Sequence, residues 1–230
     1  MPVVRTLSLQ VMHRDGVAPL AFTFDTVICG GYSGRNQEAI ERHIAELRAH
    51  GLEAPSKTPI FFKVSTNLVS TETVVEVQGP RTSGEVEFVL LCQGAPRWVT
   101  VGSDHTDREL EKYSIAGSKQ MYPKLLAPTV WPLEEVADHW DELLLRAWVH
   151  VEGERHLYQE DTLAAMLPPA QLLAAAAQEY PPAAFQQAVV FSGTIATQGG
   201  ALLFGERFDV ELLDPVLDRC LQHSYAIEIL

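Results

Sequence analysis

From Pro55 to Val101 the sequence offers four strand-like runs, PIFFKVS, TVVEVQ, GEVEFVLLCQ and RWVTV. Turn signals at Gly79-Pro80 and Gly94-Ala95-Pro96 separate the last three. A chain with successive strands at its centre does not follow strict strand–helix–strand alternation. The class it predicts is α+β, built around an antiparallel or mixed sheet. Both ends agree. VVRTLSLQVM and LAFTFDTVIC open the chain as two strands, with Phe22 and Phe24 on one face, and AVVFSGTI, ALLFGERFDVEL and SYAIEIL close it. A hairpin is expected around Glu152-Gly153-Glu154. Helices are expected from about Gln37 to His50, over 106–116 with a stop at Gly117, and from Trp131-Pro132. An Ala-rich helical stretch over 161–185 is broken by Pro168-Pro169 and Pro181-Pro182.

With 17 Lys and Arg against 30 Asp and Glu, the formal net charge is −13. A chain of that sign has no basic patch to meet phosphates, so no nucleic-acid partner and no anionic membrane surface is expected. No apolar run approaches the ~20 residues of a membrane span. MPVVRTLSLQVMHRDG has no apolar core of secretory type. The three cysteines, Cys29, Cys92 and Cys220, are far apart and form no C-x-x-C, which predicts buried thiols and a reducing cytoplasmic location.

The segment richest in chemistry is Glu85-Val86-Glu87-Phe88. Side chains alternate along a strand, so Glu85 and Glu87 share one side and Val86 and Phe88 the other. Two adjacent carboxylates repel unless they are solvated or a cation sits between them. Oxygen-only ligands suit hard ions such as Mg²⁺, Mn²⁺ or Ca²⁺. Asp104 stands where the RWVTV strand turns towards a helix; it either completes a three-carboxylate site or belongs to a helix cap with Ser103 or Thr106. Lys63 and Lys119 are cations able to orient a carboxylate or an enolate oxygen, or are simply solvated. His43 and Glu46 lie one helical turn apart, either as a surface pair or as a general base for water. No Walker loop, nucleophile elbow or H-E-x-x-H is present.

Taken in order, these features resemble the catalytic domain of the fumarylacetoacetate hydrolase superfamily. The matching pieces are Gly34-Arg35-Asn36, His43-Ile44-Ala45-Glu46, Pro59-Ile60-Phe61-Phe62-Lys63 and Glu85-Val86-Glu87. They continue with Gly102-Ser103-Asp104-His105-Thr106-Asp107-Arg108-Glu109, Lys119 and Ser192-Gly193-Thr194. The resemblance implies one catalytic domain over 1–230, a mixed β-sandwich roll with inserted helices, on which residues 1–30 pack as a strand pair. It also implies a homodimer and a bound Mg²⁺ or Mn²⁺ held by Glu85, Glu87 and Asp104. Catalytic roles fall to His43, Glu46 and Lys119, and substrate binding to Lys63, Arg108 and Thr194. The implied activity is hydrolytic cleavage of a C–C bond in a small 2-oxo or 1,3-dioxo acid through a metal-stabilised enolate. Isomerisation, tautomerisation or decarboxylation at the same site is the alternative, and a non-catalytic binding protein with the fold retained is a further one. The sequence departs from the family pattern in several places: His43 follows Asn36 by seven residues where the family has about four, Gln37 stands for tyrosine, the lysine strand is one residue shorter between Pro59 and Phe61, Ser103 stands for asparagine, Thr106-Asp107-Arg108-Glu109 stands for S-A-R-D, and Glu111 stands for a frequent glutamine.

Overall fold

The computed structural model describes residues 3–38, 40, 41, 44, 45, 55 and 57–230. The chain enters on a hairpin, β1 (Arg5–His13) and β2 (Gly16–Phe24), then runs through β3 (Thr26–Gly31) and β4 (Ile60–Val64). Short strands β5 (Val69–Ser70), β6 (Val74–Val77) and β7 (Thr82–Ser83) lead to β8 (Val86–Gln93) and β9 (Ala95–Asp104). After β10 (Thr106–Asp107) come β11 (Lys124–Leu126), β12 (Thr129–Pro132) and the hairpin β13 (Leu144–Val151) and β14 (Glu154–Thr162). The chain closes with β15 (Ala188–Phe191), β16 (Arg207–Asp214) and β17 (Arg219–Ile229).

The strands form two main sheets. The larger is mixed, in the order β2-β1-β12-β9-β8-β15-β3-β4, with β11 beside β9 and β5. The smaller runs β14-β13-β16-β17-β6, and β7 with β10 forms a separate ribbon. The expected α+β class and mixed sheet are therefore what the chain builds.

Alternation along β8 explains the layering. Val86, Phe88 and Leu90 point to one side, where they join Leu145, Ala147, Val210 and Leu212 of the smaller sheet in one buried cluster. Val89 and Leu91 point to the other side and join Phe22, Phe24, Val27, Val130 and Phe191 in a second cluster. Those residues stand on strands up to six places apart in one sheet. They can meet only if the sheet curls around them. Phe88 is edge-on to Trp140, with ring centroids 5.1 Å apart, and removing that ring would cost ~3–5 kcal/mol.

The helices differ from the local reading. The stretch 106–116 begins as strand β10, continues as a four-residue helix Arg108–Glu111, and passes into a second helix, Ile115–Met121, that contains Gly117. Gly117 does not stop a helix: its N–H donates to the Ser114 side chain that caps the next one. The Ala-rich stretch is helical only over Pro169–Ala176, with a 3₁₀ turn at Pro182–Phe185. Most of the 37–50 helix lies outside the described residues. Among the described residues no helix is long and apolar enough to cross a membrane.

Candidate metal centre

The centre is assembled where β8 begins and β9 ends. These strands are antiparallel neighbours, with Val86 opposite Ser103 and Glu87 opposite Gly102. Asp104 N–H donates to the Glu85 carbonyl at 3.0 Å, so the pairing continues one step past β8. Gly102 is required by what lies across from it: a Cβ there would come within 2.5 Å of the Leu125 carbonyl on β11. Glu87 and Asp104 are fully buried and Glu85 is partly buried. One ligand atom from each of the three lies within 4.8 Å of the others.

Cations surround this triad. Lys119, on the helix Ile115–Met121, donates to Asp104 Oδ2 at 2.5 Å and stands 3.5 Å from Glu85 Oε2. Lys124 is the direct cross-strand partner of Asp104. Its ammonium lies 2.5 Å from Asp104 Oδ1 and donates to the His105 carbonyl at 3.1 Å. Arg108 spans Glu85 Oε1 and Glu111 Oε2, both at 2.9 Å, while its Nε donates to Ser83 Oγ at 2.8 Å. Asp107 caps the Arg108 helix by accepting from the Glu109 and Leu110 N–H groups. The capping alternative for Asp104 is thereby filled by its neighbour.

Burial and mutual charge set the protonation states. Burial, and then the nearby Asp104, push Glu87 well above the usual carboxylate range. Burial would raise Asp104 as well, but Lys119 and Lys124 outweigh it and hold it at about 2. Burial would lower Lys119, yet Asp104, Glu85 and Glu87 together raise it well above an ordinary lysine. Burial and the adjacent Lys124 and Arg108 lower His105 to about 3, which makes it a neutral imidazole, with Nδ1 3.0 Å from the Tyr225 hydroxyl. Lys119 and Arg108 are thus fixed positive charges of the centre.

The residues present fit a divalent ion. Glu87 Oε2 accepts the Gly193 N–H at 2.7 Å, but Oε1 is buried with no hydrogen-bond partner. A buried carboxylate oxygen left without a partner is costly unless a cation takes it. The donor set is all oxygen, which suits Mg²⁺ or Mn²⁺ over softer metals.

The structure brings together Glu85, Glu87, Asp104, Arg108 and Lys119 of the residues expected from the sequence. Thr194 lies alongside them, and its hydroxyl donates to the Val86 carbonyl at 2.8 Å. Lys63 is elsewhere. It is exposed on β4, opposite Ile28, and so projects from the sheet face opposite to Glu87. His43 and Glu46 lie outside the described residues. Lys124 and Gln159 were not anticipated, because their link to the centre is long-range pairing that no local spacing announces.

The model of a family described as "Protein of unknown function (DUF2848)" matches residues 30–225. No curated protein matches the sequence. Among solved structures, a 2-keto-3-deoxy-D-arabinonate dehydratase complexed with magnesium and 2,5-dioxopentanoate is similar with a TM-score of 0.65 at 13% identity, over 90% of this chain and 74% of that one. The fumarylacetoacetate hydrolase of psychrophilic Exiguobacterium antarcticum is similar at 0.60 and 15%, over 94% and 82%. The 5-carboxymethyl-2-hydroxymuconate delta-isomerase of Mycobacterium smegmatis is similar at 0.56 and 14%, over 98% and 99%. The fold is thus of fumarylacetoacetate hydrolase type, as the order of motifs implied.

Proposed function

Because the chain belongs to the DUF2848 family and has a fumarylacetoacetate hydrolase-type fold, we propose that it is a divalent-metal-dependent enzyme that hydrolyses a C–C bond in a small 2-oxo or 1,3-dioxo acid. The observation that carries this reading is the unpartnered Oε1 of buried Glu87 within the Glu85–Glu87–Asp104 triad. Those three carboxylates would hold Mg²⁺ or Mn²⁺, which when bound supplies Lewis acidity to a keto oxygen of the substrate.

The remaining roles belong to side chains of the chain itself. Lys119 keeps its proton and places a fixed positive charge beside the triad, where the negative charge of an enolate would be stabilised. Arg108 holds Glu85 by one oxygen and so fixes its orientation, and its charge at the edge of the centre would also help to hold an acidic substrate. Thr194, at the edge of the centre, is suited to receive the substrate carboxylate by reorienting its hydroxyl. His43 and Glu46 would take a proton from water, and that water would attack the carbonyl carbon as the C–C bond breaks. The magnesium-bound dehydratase and the isomerase with a similar fold support a metal site acting on keto acids, and isomerisation or decarboxylation of a 2-keto acid, which would pass through the same enolate, is the second reading.

Product analysis tests the proposal. The protein, supplied with Mg²⁺ or Mn²⁺, is incubated with a panel of acylpyruvates and with oxaloacetate. Two carboxylic acids from one acylpyruvate is the expected result. Carbon dioxide with pyruvate, or an isomer of unchanged mass, would move the assignment to the second reading.

A further inference from the structure

A metal-binding role for Glu87 raises the question of what aims its side chain. Strand β15 pairs with β8 only as far as Phe191 opposite Val89, with Ser192 N–H donating to the Phe88 carbonyl at 3.1 Å. Beyond that point the chain leaves the ladder, and side chains take over the backbone groups of Val86. Gln159 Oε1 accepts the Val86 N–H at 3.1 Å, and Thr194 Oγ1 donates to the Val86 carbonyl at 2.8 Å. Gln159 Nε2 in turn donates to Thr194 Oγ1 at 2.7 Å and to the Ile195 carbonyl at 2.6 Å. Every hydrogen-bonding group of that amide except one acceptor lone pair is therefore in use.

Gln159 is 1% exposed and stands on β14, in the smaller sheet, while Val86 stands in the larger. It also makes a single bridge to Thr197, further along the same departing chain. Between the two anchored points, Ser192 and Thr194, lies Gly193. Its φ is +89°, and a Cβ there would come within 2.5 Å of Ser33 Oγ. In that conformation its N–H points at Glu87 Oε2, 2.7 Å away.

We infer that Gln159 is a positioning residue for Glu87, acting through Gly193. By tying the first residue of β8 to the far side of the Ser192–Ile195 turn, it aims the Gly193 N–H at Oε2 and leaves Oε1 free for a cation. The geometry stands on the contacts above, and its consequence for metal binding rests on the proposed function. Only an amide satisfies the arrangement. A glutamate could still accept from Val86, but it would set a carboxylate oxygen against the Ile195 carbonyl, and a methionine of similar length would make none of the bonds.

Gln159→Met and Gln159→Glu variants of the full chain test this with two readouts. The first is amide hydrogen exchange by NMR without added metal. Protection of the Gly193 N–H should fall at least about tenfold, while Val189, Val190 and Phe191 keep theirs. The second is calorimetric titration of Mn²⁺, for which affinity should fall about ten- to hundredfold, the usual effect of losing a residue that orients a ligand. Unchanged protection at Gly193, or an equal loss along all of β15, would overturn the inference, as would wild-type Mn²⁺ affinity in both variants. Absence of Mn²⁺ binding in the wild type would instead overturn the metal reading, and the exchange experiment would still decide the role of Gln159. If the methionine variant does not fold, the glutamate variant, which keeps the acceptor, decides it alone.

Discussion

Two aspartates of this molecule carry nearly the same electrostatic signature and mean different things. Asp104 and Asp209 are both held at about 2 against the upward push of burial, Asp104 by Lys119 and Lys124 and Asp209 by hydrogen bonds from Arg207, His150 and Ser224. Asp209 receives His150 Nε2 and Arg155 Nε on one oxygen and Arg207 Nε on the other, at 2.8 to 3.0 Å. Both of its oxygens are satisfied, and the two arginines are about half exposed, with Arg155 also lying over the Trp148 ring. Asp104 has its lysines too, but it lies beside Glu87, whose Oε1 has no partner, and beside a third carboxylate. A low carboxylate pKa therefore marks hydrogen-bond donors and positive charge in both regions. Only a buried oxygen with unused bonding capacity marks a place for something further.

The largest effect should separate the regions outright. A Glu85→Gln/Glu87→Gln variant should weaken Mn²⁺ binding by at least about a hundredfold, roughly 2.8 kcal/mol, as read by calorimetry. Next in size is Lys119. With metal saturating, Lys119→Met should lower kcat about a hundredfold with the KM of the metal-loaded enzyme for its substrate changing less, because its charge acts where negative charge develops. The third effect concerns pH. Burial and Asp104 push Glu87 up, so proton and metal compete for its carboxylate. Metal affinity should rise with pH, by up to about tenfold per unit while Glu87 is still protonated, and binding should release protons detectable by comparing buffers of different ionisation enthalpy. The smallest effect belongs to the other region. Asp209→Asn should leave Mn²⁺ affinity within about twofold and cost roughly 1 kcal/mol in urea unfolding, since its arginine partners stay solvated. A large loss of metal binding in that variant would erase the distinction between the two aspartates.

How much of this was legible in the sequence depends on the range of each interaction. The alternation that sets Glu85 and Glu87 on one side and Val86 and Phe88 on the other is a local property, and it survives into β8 unchanged. Asp104 was legible as a strand-end carboxylate for the same reason. The order of short motifs carried the fold, because each motif marks where a strand or turn must fall even when its neighbours have diverged. Lys124 was not legible: its only link to Asp104 is the antiparallel register of a three-residue strand, 20 positions on. Gln159 was hidden similarly, since the groups it satisfies sit on Val86 and Ile195. Gly117 misled because glycine is a stop signal by statistics, and here Ser114 recruits its N–H to start a helix instead. Lys63 was placed by motif, but strand parity sets its direction, and pairing with Ile28 turns it away from Glu87.

The proposed function requires the triad to bind a divalent ion that would stabilise an enolate. The direct measurement is a calorimetric titration of Mg²⁺ and of Mn²⁺ into metal-free protein, with and without oxalate as an enolate mimic, beside the Glu85→Gln/Glu87→Gln variant. The account predicts binding that tightens when oxalate is present and disappears in the variant. Absence of binding in the wild type, or binding that the variant retains, would contradict it.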